Sequence, residues 1–543
     1  MKKILKSAAA ILLALSLAAC DNQGSFENVS DGSSINENSY SPSEQNGKSD
    51  TSGKSDALNS DGSSEQNDAS PAYVSWMLED KVHEIRITMA DEDWKAICAN
   101  PYNSDYHAAD VSIDGVFVTN VGVRTRGHGT LYTAAEYYPD SHKYPFKIKF
   151  DKYEKDQTFL GLDELALNNG GDDFSMMRDY MGYEAFRLMG SDASCVSFFN
   201  VYINDELRGF YIGIEAIDTS YLERMFGSHK KNLYEGENGA TLSRYMPMSY
   251  LTQKKGKDET KDDIKQLISV IDSMPLGEKG DIESVLDVDS VLRIFAVNAV
   301  LDNRDGYGGI FAHNYYLYNP DGRFVMLPWD MNAPFVSYAT DIESPTVGVY
   351  GYSQMNERPL AKKLMAVEEY YAKYLDYCRQ LAEKLPELKE DVLHVYELIK
   401  ESVDNDPNKF TSSYYFNTFF DENRYYGTVY FLTKRYDYVL NRVKQLEGKP
   451  ISEAALNPPP SPPPRDENTS GSDTSSPYNQ ENTGSDADEN STPQGEYNQP
   501  SDGESQSSHG ESIDNNEQQG STELTPSDAD SSSSAESSDE NAV

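Results

Sequence analysis

Cysteine is scarce in this sequence: four among 543 residues. Cys98, Cys195 and Cys378 stand far apart, with no metal-ligand spacing. A disulfide-stapled scaffold and a zinc site are therefore excluded as expectations, and the three read as small buried hydrophobes. Basic residues are outnumbered, 47 Lys and Arg against 90 Asp and Glu, for a formal charge of −43. Nucleic-acid phosphates require clustered Lys and Arg, so that partner class is not expected. After residue 20 no apolar run is long enough to cross a bilayer.

What is present divides the chain into four parts. Residues 1–20, MKKILKSAAAILLALSLAAC, read as a targeting signal: Lys2, Lys3 and Lys6 precede an apolar run from Ala8 to Leu17. Leu17-Ala18-Ala19-Cys20 looks like a bacterial lipobox, so Cys20 is the expected lipid attachment and the extracytoplasmic face of the membrane the expected location. Residues 21–70 are Ser, Asn, Gly, Asp and Glu with almost no apolar content, the composition of a disordered acidic linker. Residues 457–543 begin NPPPSPPPR and continue as a Ser-rich acidic tail, also expected to be disordered. The globular domain is 71–456.

Within it, period-2 patterns predict strands at 82–87, 110–113, 116–124, 146–150, 197–203 and 209–214. Period-3.6 patterns predict helices at 91–99, 175–189, 264–274, 290–302, 360–385, 389–403 and 425–446. A sheet-rich first half and a helix-rich second half give an α+β fold.

The chemistry-bearing stretch is Leu301 to Asn332. Asp305 and Asp330 flank His313-Asn314, and between them lie a strand (Tyr315 to Tyr318), a turn at Pro320-Asp321-Gly322 and a second strand (Arg323 to Leu327). A strand–turn–strand holds its ends together, so Asp305, Asn314 and Asp330 are expected to converge. A potential base, an amide able to reach a metal and a metal-binding acid are the parts phosphoryl transfer needs. Each has a plainer alternative: Asp305 as a helix-end or turn residue, Asp330 as a buried loop cap.

Several further motifs occur in order: Gly122-Val123-Arg124-Thr125-Arg126-Gly127, Tyr144 to Asp151, Met177-Arg178-Asp179-Tyr180, Val201-Tyr202-Ile203-Asn204, Gly209 to Glu215, His313-Asn314, Pro328-Trp329-Asp330, and Arg435 to Leu446. Together they resemble the spore-coat CotH kinase-like family over roughly residues 74–448. The resemblance implies a two-lobed, atypical protein-kinase-like fold using ATP and Mg²⁺ to phosphorylate Ser or Thr of a protein acceptor, the chain's own tail included.

The resemblance also implies roles. Asp305 is the catalytic acid, with Asp302 its rival. Asp330 and Asn314 are the metal ligands. Lys147 pairs with the nucleotide phosphates, with Lys149 in reserve and Glu184 a candidate partner. Arg126 and Gly127 cover the phosphates, and Glu215 lies where the nucleotide base is met. For Lys149 and Glu215 the alternatives are a solvated strand face and a carboxylate paired across the sheet. This chain departs from the family pattern at His128 and Asn332. Competing classes are a non-catalytic surface or carbohydrate-adhesion module, suggested by 38 tyrosines, and a glycosidase built on paired carboxylates.

Overall fold

The computed structural model describes residues 70–459 except 192, 334–340, 348–352 and 426. The targeting segment with Cys20, nearly all of the acidic linker and nearly all of 457–543 lie outside the described residues.

Seven strands form a closed barrel: β1 (Val82–Met89), β2 (His107–Ile113), β3 (Val116–Thr125), β4 (Phe146–Lys149), β5 (Glu164–Asn168), β6 (Val196–Ile203) and β7 (Glu206–Glu215), in the order β1-β2-β3-β4-β5-β7-β6. All neighbours are antiparallel except β1 and β6, whose parallel pairing closes the barrel. The alternating pattern drives this closure. Ile85, Ile87, Val123, Phe146, Ile148, Leu165, Phe199 and Val201 are fully buried or nearly so in one interior core. At about 1.5–3 kcal/mol for each side chain removed from water, that core outweighs any single polar contact. In β4 the alternation puts Phe146 and Ile148 inward and Lys147 and Lys149 on the outer face, as the sequence predicts. The β6–β7 hairpin turns at Asn204 and Asp205, both with positive φ (49° and 63°), a conformation that Asn and Asp tolerate.

A second, four-stranded antiparallel sheet comprises β8 (Asn232–Gly236), β9 (Leu251–Lys255), β10 (Tyr315–Asn319) and β11 (Val325–Pro328), ordered β11-β10-β8-β9. It shares a larger core with the helices Arg178–Leu188, Asp262–Ser273, Val288–Val300, Pro359–Ala366, Glu368–Asn405 and Thr428–Leu446. The fold is therefore mixed α+β, and all described residues belong to one compact unit.

The sequence reading needs two corrections. It ends one helix near Leu385 and starts another at Lys389, but a 38-residue helix runs from Glu368 to Asn405 straight through Pro386. Proline inside a helix costs about 3 kcal/mol. Here Leu381, Ala382, Leu385, Leu388 and Val392 form a continuous buried stripe on both sides of it, which outweighs that cost. The break falls instead at Val367, between this helix and Pro359–Ala366. The strands β5, β8 and β9 and the helix Thr219–Phe226 are also absent from the sequence reading. Glu164, Glu235 and Lys254 lie on those strands.

Candidate active site

The helix Val288–Val300 ends beneath a loop, 302–312, that carries Asp305. Arg435, fully buried, donates from Nε to the Val300 carbonyl (2.8 Å) and from Nη2 to that of Ala299 (2.6 Å), so the helix end is satisfied by a cation. Asp302 is buried as well, and Arg304 binds both its oxygens (3.1 and 3.2 Å). That engagement fits it for structure. Asp305, three residues on, keeps a quarter of its side chain exposed.

The loop between is fixed from behind. Arg358, also buried, donates from Nε to the Tyr307 carbonyl (2.8 Å) and from Nη2 to that of Gly309. A Cβ at Gly309 would lie 1.8 Å from the Arg304 carbonyl oxygen, so only glycine fits there.

Asp305 is held by its two predicted neighbours. His313 Nε2 lies 2.6 Å from Oδ1, and Asn314 Nδ2 donates to Oδ2 (3.0 Å) and to the Asp305 main-chain carbonyl (2.6 Å). With its amide nitrogen committed to Asp305, Asn314 keeps its amide oxygen as its acceptor group. The β10–β11 hairpin then works as the sequence expects: Tyr315 pairs with Pro328, and the Trp329 N–H donates to the Asn314 carbonyl (3.3 Å). Asp330 therefore follows directly beside Asn314.

Burial pushes the Asp330 carboxyl above its ordinary pKa. Arg126 pulls it down, and Asp305 pushes it further up. Four non-glycine residues in this stretch have left-handed backbone: Asp302 (φ 52°), Ala312 (49°), Asn314 (58°) and Asp330 (55°). Such clustering of strained backbone is a mark of a functional segment.

The barrel contributes the cations. Lys147 is half-buried, 2.6 Å from Glu164 Oε1 on the neighbouring strand. Burial lowers its pKa, and Glu164 opposes the fall. Glu184, the partner considered from sequence, is instead bound by Arg187 at 2.8 Å. Burial opposes the charge of Lys149 too, but the carboxylates around it, Asp218 first, raise its pKa. It lies 3.2 Å from Asp218 and 3.2 Å from Asp151, so it is occupied within the protein. Arg126 follows β3. Its guanidinium donates to Asn168 Oδ1 and sits 5.7 Å from the centre of the Trp329 ring. Gly127, next to it, has φ +78°, which glycine adopts without strain.

The Glu215 side chain follows the plainer alternative, a paired carboxylate at the end of its strand. Its carboxylate is fully buried and accepts from Tyr73 Oη (2.5 Å), Cys195 N–H (2.9 Å), Arg224 Nε (3.2 Å) and Arg224 Nη2 (2.7 Å). With both oxygens taken, that side chain stabilises the barrel end and has no oxygen left for a ligand. A cavity of about 410 Å³ adjoins this network, lined by Tyr73, Asp163, Ser220 and Arg224 among others, and it shares no residue with the Asp305–Asp330 site.

Sequence reasoning assigned no role to four residues of the site. His313 was signalled by its place beside Asn314, between the two acids. Asp179 belongs to the Met177-Arg178-Asp179-Tyr180 motif. Glu164 and Glu235 gave no signal, because their strands were not foreseen. Glu235 on β8 takes Lys254 at 2.9 Å; its pKa is lowered because that lysine and its neighbours outweigh burial.

Comparison with known proteins gives a family. The family described as CotH kinase protein matches residues 123–441. The inner spore coat protein H of Bacillus subtilis (strain 168) is 26% identical over 291 residues, 50% of this chain and 78% of that protein. Among solved structures, the Shewanella oneidensis MR-1 toxin–antitoxin complex of HipA, HipB and operator DNA is similar over 52% of this chain and 59% of that chain, at 10% identity and a TM-score of 0.27.

Proposed function

The chain belongs to the CotH kinase protein family and is kinase-like, and from that premise we propose that it transfers the γ-phosphoryl group of ATP to Ser or Thr hydroxyls, with Mg²⁺. One observation supports this above the others. Asn314 holds the carboxylate of Asp305 with its amide nitrogen, and its main-chain carbonyl accepts from the N–H of Trp329, the residue before Asp330. The candidate base and the candidate metal-binding acid are thus brought together through one residue.

The donor set fits magnesium. Mg²⁺ takes oxygen ligands, usually one or two from protein, and completes its shell with phosphates and water. Among the described residues no three His, Cys, Asp or Glu side chains form a self-sufficient metal cage, and a nucleotide-dependent Mg²⁺ needs none. Asp330 and Asn314 Oδ1 would hold the ion, which when bound neutralises charge on the phosphate oxygens. Lys147 and Arg126 bind and orient the phosphates. Asp305 orients the acceptor hydroxyl and takes its proton as the oxygen forms the new bond to phosphorus and the bond to the β-phosphate oxygen breaks. His313 and Asn314 hold Asp305 still during this exchange. In this arrangement the barrel and the helix-rich part act as the two lobes of a kinase-like fold, with the barrel supplying Lys147 and Arg126.

The acceptor we propose is a surface or coat protein, or the chain's own Ser-rich segment after Pro464. Lipid attachment at Cys20 would place the domain at the extracytoplasmic face of the membrane. The test is thermal unfolding of the full chain with ATP and Mg²⁺ together and each alone. Stabilisation is expected only with both, about 2.7 kcal/mol at a ligand concentration of 100 Kd. No stabilisation under any combination would overturn the proposal and favour a non-catalytic surface module.

A further inference from the structure

The strand lysine of this protein is paired within the barrel, Lys147 to Glu164, and Glu184 of the helix Arg178–Leu188 is bound by Arg187 instead. That helix meets the site in another way. Asp179, in its first turn, is 1% exposed. Asn168 Nδ2 donates to Asp179 Oδ2 at 2.8 Å, and Asn168 Oδ1 accepts from Arg126. Asp179 Oδ1 is buried without a hydrogen-bond partner among the described residues. Burial, with Asp330 adding to it, pushes this carboxyl up to about 8.

We propose that Asn168 is the positioning residue for Arg126, and that Asp179 fixes Asn168, so that the helix Arg178–Leu188 governs phosphate binding through the chain Asp179–Asn168–Arg126. This rests on the kinase reading above.

The chemistry of position 168 is restrictive. Its side chain must accept from a guanidinium and donate to a carboxyl at once. A short amide does both; Asp lacks the donor, Ser is too small to span both partners, and Leu does neither. Burying Asp179 with one oxygen unpaired is costly, so an apolar residue would serve packing better. The bond to Asn168 is what Asp179 supplies and an apolar residue cannot. Arg126 is then held from two sides, by the Asn168 amide and by the Trp329 ring, and its backbone N–H is tied to the Pro145 carbonyl at 3.0 Å.

The same helix also supports the metal side. A Cβ at Gly182 would lie 2.5 Å from Met331 Cβ, so the helix backbone presses directly against the residue after Asp330. One rigid element thus underlies both the phosphate-binding arginine and the metal-binding acid.

The experiment is calorimetric titration of Mg-ATP into the full chain and its variants, with unfolding of each unliganded variant measured in parallel. Asn168→Leu is expected to weaken binding about tenfold, the scale of one lost charge-assisted hydrogen bond. Adding Asn168→Leu to Arg126→Ala is expected to weaken binding no further than Arg126→Ala alone, because the amide acts only through the arginine. Asn168→Asp alone weakens binding above about pH 8, where an ionised Asp179 has no proton to donate across the pair. Asn168→Asp combined with Asp179→Asn restores it to within about threefold, since the exchanged pair can make both bonds again.

Asn168→Ser is the milder variant if Asn168→Leu fails to fold. Additive effects of the Asn168 and Arg126 changes would overturn the proposal, as would lowered unliganded stability with unchanged affinity. If Arg126→Ala weakens binding and no Asn168 variant does, only this chain of contacts falls. If wild type binds no Mg-ATP, the kinase reading falls and this inference with it.

Discussion

Replacing Asp330 by asparagine is expected to stabilise the protein while removing its Mg²⁺-dependent nucleotide binding. The backbone at 330 is left-handed (φ 55°), where Asn is among the best-tolerated residues. The carboxyl is raised above its ordinary pKa by burial first, with Asp305 and Glu235 adding to the rise and Arg126 and His313 opposing it. The neutral variant removes the desolvation of the buried charge, the largest of these effects, while the attraction to Arg126, which exceeds the repulsion from Asp305, is lost with it and offsets part of the gain. The net gain is expected to be about 1 kcal/mol, within the usual range for relieving a functional site. For the ~390 residues from 70 to 459 the unfolding entropy is about 0.8 kcal/mol/K, so Tm should rise by about 1 °C.

The pH dependence has a definite sign. A carboxyl raised in the folded state binds more protons folded than unfolded, so its contribution to stability falls as pH rises from its ordinary value, near 4, through its raised one. The advantage of Asp330→Asn should therefore grow as pH rises above about 4 and vanish toward pH 4. Differential scanning calorimetry with and without Mg-ATP measures both effects. An Asp330→Asn protein that loses several degrees unliganded, or that binds Mg-ATP as tightly as wild type, would refute the reasoning.

Glu215→Gln should leave the Mg-ATP affinity of the folded protein unchanged, whereas Glu215→Ala, by stranding Arg224, should cost about 3–5 kcal/mol in denaturant unfolding; a specific loss of nucleotide binding by the folded glutamine variant would return Glu215 to the site. Lys143 and Asp406 form a fully buried ion pair at 2.6 Å, and Asp406 also accepts from the Phe210 N–H (3.0 Å) and the Asn408 N–H (2.7 Å). Asp406→Ala should cost about 3–5 kcal/mol, and Lys143→Met with Asp406→Leu should cost less than Asp406→Ala, as expected when an apolar pair replaces a buried ionic one; equal costs would show that the backbone donors, not the ion pair, dominate. Cys20→Ser should abolish metabolic labelling by palmitate and release the protein from the membrane fraction, and unchanged labelling would rule out Cys20 as the lipid attachment.

The central hairpin was legible because its logic is local. Two acids, a His-Asn pair and a strand–turn–strand suffice to bring Asn314 beside Asp330, and Asp305 needs only the return of the loop. The outward placement of Lys147 and Lys149 was legible for the same reason, since period-2 alternation fixes it. What those lysines meet was not. Glu164 faces Lys149 only through the register of β4 with β5, and register is a property of the closed barrel, not of either strand alone.

Glu215 ends its strand in a sequence that reads equally well as a ligand contact. Its burial depends on Tyr73 and Arg224, 142 and 9 residues away. Pro386 carries a strong local helix-breaking signal, and tertiary packing of its neighbours overrides it. Asn168 gave no signal at all, because its two bonds run to side chains 42 and 11 residues distant.

The most direct test of the central claim is transfer of labelled γ-phosphate from ATP, with Mg²⁺, by the full chain and by Asp305→Asn, using a casein-like acidic protein as a second acceptor. In the proposed mechanism Asp305 contacts the acceptor and not the ion, so its loss should spare ground-state binding and remove a transition-state interaction. Wild type should incorporate phosphate, and Asp305→Asn should bind Mg-ATP about as tightly but transfer at least ~100-fold more slowly. Wild type that binds Mg-ATP yet labels no acceptor would contradict the account, as would transfer that survives in Asp305→Asn and stops in Asp302→Asn.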